Sequence, residues 1–327
     1  MIRVYDCSSN SYDALPADSL TSLPESAVWV DLDRPTSGEE QMVEMLLKLD
    51  LPTADEMKDI EPSSRLYVEN GATYMTAGVL WGVEVGTPEV TPVTFVLTNG
   101  RLVTIRYAEP RSFRTVANYI KTQPDLCTSG VMTLVTLLEA IVDRTAEVLE
   151  RIGASVDRVS KEILERKRRA KHSAASTKGL EEVLDAIAVD HNVTVKARES
   201  LVSLGRMIGF LALAQQVRTS TEAREHVKSL ARDVSSLTDH ATFIASNINF
   251  LLDASLGLIN LEQNQIIKIF SVAAVCLMPP TLVASNYGMN FEHMPELAWV
   301  GGYPASLALM VVSAIIPFVY FKRKGWL

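Results

Sequence analysis

The stretch IFSVAAVCLMPPTLVASNYGMNF, residues 269–291, carries no charged residue and decides the fold. Glu292, His293 and Glu296 follow it, and then a second uncharged stretch, residues 297–321, closed by Lys322, Arg323 and Lys324. An α-helix rises about 1.5 Å per residue, so roughly 20 apolar residues cross a hydrocarbon core of about 30 Å. Both stretches reach that length. The chain is therefore predicted to end in a transmembrane hairpin whose short loop carries the polar tetrapeptide Tyr287-Gly288-Met289-Asn290.

Orientation follows from the basic residues near the membrane ends. The tail carries three, Lys268 stands at the start of the first span, and the connecting loop carries no lysine or arginine. Both termini are expected in the cytoplasm, with the acidic loop outside. The first 31 residues show no apolar core flanked by basic residues, so no signal peptide is expected. A multi-pass protein of the inner (plasma) membrane, with the lipid bilayer as its partner, is the resulting expectation.

Working toward the N-terminus, the 327 residues leave room for one sizeable soluble domain plus a helical segment. The net charge of −8 argues against nucleic-acid binding, which normally needs basic excess. Cys7, Cys127 and Cys276 are far apart and form no CxxC pair, which suits a reducing compartment. The histidines show no zinc-ligand spacing, and no P-loop, dinucleotide fingerprint or nucleophile elbow is present. Neither an ATP-driven pump nor a soluble enzyme is expected, nor any organic cofactor.

The first 125 or so residues read as a mixed sheet with flanking helices. Ile2-Arg3-Val4-Tyr5 and Ala27-Val28-Trp29-Val30 have strand composition, and Ser37-x-x-Glu40 and Thr53-x-x-Glu56 have the spacing of capping boxes. Asn70-Gly71 and Asn99-Gly100 are hairpin signals flanked by the strand-like residues 72–80, 93–97 and 102–107. Beyond Gly130 the period changes. Leu134, Leu138, Ile141, Val148, Ile152, Val156, Val159 and Ile163 form the stripe of an amphipathic helix that ends in the basic run 166–171. That run reads either as a solvated helix end or as a contact for anionic lipid or an acidic neighbour. A second helix is predicted over about 180–216, and a third from about 222 to 287, about 100 Å long at the standard rise. A helix of that length needs neighbours, which points to an oligomer.

Along the last helix, Asp239, Thr242, Ser246, Asn249, Asp253, Asn260, Asn264, Ile267, Ser271, Ala274, Met278, Thr281 and Ser285 recur at about 3.5-residue spacing. Such a face suits either hydrogen bonding between helices or a ring of parallel helices lining a water-filled path. Pro279-Pro280 removes two backbone donors inside the span. Asn and Ser offer neutral oxygens, while Ile and Met make a dry constriction. Magnesium surrenders its water reluctantly, so neutral oxygens touching a hydrated ion suit it. Glu292 and Glu296 of the loop would concentrate divalent cations at the outer mouth.

The run Asn264-Gln265-Ile266-Ile267-Lys268-Ile269-Phe270 resembles the CorA family of magnesium transporters, as does Met278-Pro279-Pro280-Thr281-Leu282-Val283-Ala284-Ser285. The likeness continues through residues 287–297, Gly302-Tyr303-Pro304 and the tail 320–327, and is looser at Asp59-Ile60-Glu61-Pro62-Ser63-Ser64-Arg65. It implies an α+β membrane protein forming a homopentameric funnel. The parts would be an N-terminal cytoplasmic α/β domain (1–125), a helical hairpin (126–221) and a stalk helix (222–287, its membrane part about 266–287). An external loop (288–302), a second transmembrane helix (303–321) and a basic cytoplasmic tail (322–327) would complete the chain. The resemblance further implies that Gly288, Met289 and Asn290 form an external selectivity filter for hydrated Mg²⁺. Asn264 would be the polar pore position, Ile267 and Met278 hydrophobic constrictions, and Thr281 a lining residue between Met278 and the filter. Asp253 matches a position binding regulatory Mg²⁺ between subunits, with an acidic partner near Glu56 or Asp59. Influx of Mg²⁺ driven by the membrane potential and gated by intracellular Mg²⁺ is the function implied, with Co²⁺ and Ni²⁺ as further substrates. The competing expectations are a Zn²⁺ transporter of the related ZntB type and a membrane-anchored sensor.

Overall fold

The structure is a computed structural model that describes residues 1–6, 12–15, 23–59, 61–122, 128–169, 178–289 and 299–326. These residues divide into a sheet unit, residues 1–161 with 183–251, and a second unit, residues 162–182 with 252–327.

The sheet unit is built on strands β1 (Ile2–Asp6), β2 (Tyr12–Leu15), β3 (Ala27–Asp33), β4 (Leu66–Glu69), β5 (Ala72–Trp81), β6 (Glu89–Thr98) and β7 (Arg101–Arg106). Their order is β2-β1-β3-β7-β6-β5-β4, and β3–β7 is the parallel pair among antiparallel neighbours. The two predicted tight turns form. Asn70 and Gly71, and likewise Asn99 and Gly100, all have positive φ, which is what a type I′ hairpin turn demands and what Asn-Gly supplies.

Alternation along β3 and β7 sorts residues to two faces. Val30, Leu32, Val103 and Ile105 join Ile2, Val4 and Tyr74 in an apolar core closed by Val43 and Leu47 of α1 (Ser37–Leu47) and by Met57. The opposite face carries Trp29, Asp31, Asp33, Thr104 and Arg106, all fully buried or nearly so. The Arg106 guanidinium lies 2.9 Å from Asp31 Oδ2 and 3.2 Å from Asp33 Oδ2. Thr104 donates to Asp31 at 2.8 Å and Trp29 Nε1 donates to Thr104 at 2.9 Å. Phe113 of α3 (Arg111–Thr122) covers this network, with Arg106 4.9 Å from its ring centre. Burial by itself would lower the Arg106 pKa, but Asp31 and Asp33 outweigh it and hold the group above its ordinary value.

Two expectations shift in detail. The N-cap of α1 is Thr36 with Glu39, one residue before the predicted Ser37 and Glu40. Both pairs have capping-box spacing, but Glu39 also receives the N-terminal ammonium at 2.8 Å, while Glu40 accepts from the Tyr107 hydroxyl at 2.7 Å. The helix expected over 180–216 ends earlier. It divides into α5 (Lys178–Leu211) and α6 (Gln215–Thr219), with Ala214 extended between them. No glycine or proline marks that break. The buried Leu211, Ala214 and Val217 accompany it.

α4 (Gly130–Arg169) buries each apolar position of its predicted stripe. The second unit takes in the end of α4, the start of α5, the lower part of α7 (Thr221–Tyr287) and α8 (Gly302–Arg323). α7 is continuous through Pro279 and Pro280, and Ser220 caps its start through the Ala223 amide at 3.2 Å. Both α7 and α8 are long and apolar enough to cross a membrane, and almost none of their apolar windows is buried within one chain.

Candidate ion-conduction site

Along α7, Asn264, Ile267, Ser271, Ala274, Met278, Thr281 and Ser285 advance by alternate steps of three and four and so share one face. All are exposed, with Ile267 at 61% and Met278 at 67%. Val272 on the opposite side is buried, and Cys276, Val283 and Tyr287 are half-buried. The polar face continues to the helix end, because Gly288 and Met289 follow Ser285 by three and four. Asp253, three turns before Asn264, is exposed on the same line.

Local chemistry shapes this face. Prolines at 279 and 280 cannot donate to the carbonyls of Val275 and Cys276. The Thr281 hydroxyl donates to the Leu277 carbonyl at 2.7 Å, which leaves its oxygen to act as an acceptor. Gly288 closes the helix through its amide, 2.9 Å from the Ala284 carbonyl. A Cβ there would come within 3.1 Å of that same oxygen, which explains why glycine suits the position. Met289 donates its amide to Asn286 and is half exposed. Asn290, Glu292 and Glu296 lie outside the described residues.

The sheet unit distinguishes the two carboxylates named as partners of Asp253. Glu56 is engaged locally, accepting from the Thr53 amide at 2.8 Å and the Thr53 hydroxyl at 2.9 Å. Those hydrogen bonds hold its pKa below the ordinary glutamate value. Asp59 is exposed, and among the described residues its carboxylate has no ion pair or hydrogen bond. Asp59 is thus the one whose oxygens are available.

A feature that the sequence reading did not single out lies at the end of the second unit. The chain after α8 turns back at Gly325, whose φ is +69°, and the Trp326 amide donates to the Phe321 carbonyl at 3.1 Å. Trp326 then stacks on Phe321 and lies under the Lys268 ammonium, 6.0 Å from its ring centre. Lys268 at the start of the first span and the basic tail are joined through this ring. An aromatic residue four beyond a helix-ending lysine was the available signal.

Residues 24–323 match the family described as CorA-like Mg²⁺ transporter protein. The chain belongs to that family. It is 34% identical over 327 residues to the magnesium transport protein CorA of Yersinia pseudotuberculosis, covering all of both chains. Its fold is similar to the complete CorA magnesium transporter of Methanocaldococcus jannaschii, with a TM-score of 0.77 at 20% identity over 100% of this chain and 99% of that one. The cytoplasmic domain of ZntB from Vibrio parahaemolyticus is a more distant likeness, with a TM-score of 0.58 at 10% identity over 79% of this chain and 97% of that one. The CorA-like chain is therefore a member of a family of ion transporters rather than enzymes, with an α/β unit, long helices and two candidate C-terminal spans.

Proposed function

We propose that this protein is a Mg²⁺ channel of the inner membrane, with both termini in the cytoplasm, conducting Mg²⁺ inward along the electrochemical gradient. The observation that carries the reading is the line of polar and small residues, interrupted by Ile267 and Met278, that runs along one face of α7 from Asp253 through Asn264 to Gly288 and Met289. A lone helix gains nothing from presenting Asn, Ser and Thr to lipid, whereas five such faces turned inward enclose a water-filled path. Five copies forming a funnel are part of the proposal.

In that assembly Gly288, Met289 and Asn290 form the outer filter and touch the ion through its water shell. Glu292 and Glu296 concentrate cations at the mouth. Ile267 and Met278 are the dry collars, and Ser271, Ala274, Thr281 and Ser285 line the path between and beyond them. A membrane potential of 100 mV favours entry of a divalent ion by about 4.6 kcal/mol. Asp253 of one subunit and Asp59 of a neighbour hold a regulatory Mg²⁺, with Glu56 kept to its capping role. When internal Mg²⁺ is scarce that ion leaves, the carboxylates repel one another and the pore opens. Co²⁺ and Ni²⁺, similar in charge and hydration, pass as secondary substrates.

The test is uptake into proteoliposomes containing the purified protein, with Mg²⁺ or Zn²⁺ outside and with or without an imposed inside-negative potential. Potential-dependent Mg²⁺ entry is expected. Zn²⁺ entry without Mg²⁺ entry would assign the ZntB-like activity, and no flux of either ion would leave the membrane-anchored sensor.

A further inference from the structure

Within the sheet unit, β5 runs on well beyond its edge partner. β4 pairs only with residues 72–75, while β5 continues to Trp81. The exposed edge beyond is taken up by α5. The Gly78 amide donates to Ser203 Oγ at 2.8 Å, the Ser200 hydroxyl donates to the Gly78 carbonyl at 2.9 Å, and the Leu80 amide donates to Ser200 Oγ at 3.1 Å. Serine side chains thus stand in for a missing strand and hold the helix beside the sheet. A cavity of about 760 Å³ remains there, bounded also by Ala245 of α7 and by the segment carrying Lys58 and Arg65.

Its lining has a definite chemistry. Lys58, Arg65, Arg198 and Arg206 converge on it against a single acid, Glu199, which is paired with Lys196 at 3.1 Å. Lys58 is paired with Asp55, and the Arg65 guanidinium donates to the Asp59 carbonyl. Arg198 and Arg206, eight residues apart and so on one face of α5, have no ion pair or hydrogen bond among the described residues. Val90, Pro92, Val195 and Val202 make the remaining walls apolar. The whole chain carries a net charge of −8, so a pocket of this sign runs against its background.

The size is that of a small-molecule site, for which roughly 300–1,000 Å³ is usual. Guanidinium groups present planar forks that match phosphate oxygens in pairs, and two unengaged arginines on one helix face suit a phosphate chain. A bare phosphate would leave the valine and proline walls without a partner. From this combination we infer that the pocket binds a nucleoside polyphosphate, its phosphates on Arg198 and Arg206 and its base against Val90 and Val202.

The experiment is calorimetric titration of the full-length protein in detergent with ATP, AMP and inorganic tripolyphosphate, at one fixed free Mg²⁺ concentration so that chelation does not alter the metal. ATP is expected to bind once per chain, at least tenfold more tightly than either AMP or tripolyphosphate. Arg198→Ala with Arg206→Ala should weaken ATP at least tenfold without changing the size-exclusion profile, since both side chains are exposed. Val202→Glu, at an exposed wall position, gives an independent variant and should weaken ATP by a similar factor. Absence of ATP binding, or binding unchanged in these variants, overturns the assignment. Equal affinity for tripolyphosphate and ATP also overturns it, because the pocket would then read phosphate charge alone.

Discussion

In the sheet unit Arg106, Asp31 and Asp33 are buried, and their charges are met by one another, by Thr104 and by the Ala108 carbonyl. Along the lower half of α7 the situation reverses. Ile267 and Met278 stand exposed, and Pro279 and Pro280 offer no amide to the carbonyls four residues before them. At its buried network the sheet unit pairs its charges within a single chain. The lower half of α7 leaves such apolar side chains open within one chain, and under the proposed function it meets lipid on one side and further copies on the other. The difference marks where folding ends and assembly begins.

That contrast can be broken most severely at the filter. Asn290→Ala is expected to reduce Mg²⁺ uptake by proteoliposomes to background, while gel filtration shows an unchanged assembly, because it removes only the amide proposed to meet the hydrated ion. Normal flux through the assembled variant would remove Asn290 from the filter.

The next largest effect tests the self-sufficient region. Arg106→Ala removes the buried cation between the two carboxylates, leaving them the more exposed Arg3 and Arg34, and should destabilise the protein by about 3 kcal/mol. Denaturant titration followed by the fluorescence of Trp29, stacked on Tyr5 with ring centres 4.2 Å apart, would measure it. A shift under about 1 kcal/mol would mean that Arg3 and Arg34 suffice to neutralise Asp31 and Asp33.

A smaller effect concerns the region that needs its neighbours. Asp253→Lys places a fixed cation where regulatory Mg²⁺ is proposed, so protection from protease should lose about tenfold of its Mg²⁺ dependence. Identical Mg²⁺ titrations of protection for variant and parent would show that Asp253 holds no regulatory ion.

The smallest prediction returns to the sheet unit. Asp190 of α5 accepts a hydrogen bond from Ser155, but its Oδ2 is buried without a partner among the described residues. Burial raises its pKa, and the Ser155 bond and the Arg158 charge offset this only in part. The folded state therefore holds this proton more tightly than the unfolded chain. The resulting stabilisation is complete below the ordinary aspartate pKa and is lost as pH rises through the raised value. Asp190→Asn should accordingly add on the order of 1 kcal/mol at pH 7 and little near pH 3. A variant equally stable relative to the parent at both pH values would contradict the burial argument.

Much of this was legible in the residues. The Asn-Gly pairs marked both tight hairpins because few other dipeptides accept two successive positive φ values. The apolar stripe of α4 showed its buried face because helical period is a local property. The two candidate spans stood out because membrane insertion demands long uncharged stretches. What stayed hidden depends on partners distant in sequence. β4 is too short to be distinguished from a loop until it pairs with β5. Nothing local says that Glu39 rather than Glu40 caps α1, since the N-terminal ammonium that favours it arrives from 38 residues away.

The sequence by itself determined that two helices are fit to cross a membrane, that α7 carries one polar face along its length, and which residues stand on that face. These follow from composition and helical period, which need no neighbours. Only the tertiary structure decided that Arg106 lies between Asp31 and Asp33, that Trp326 returns to Lys268, and that two serines of α5 complete the edge of β5. Each of these joins groups whose proximity exists only after the chain has paid its conformational entropy and closed on itself.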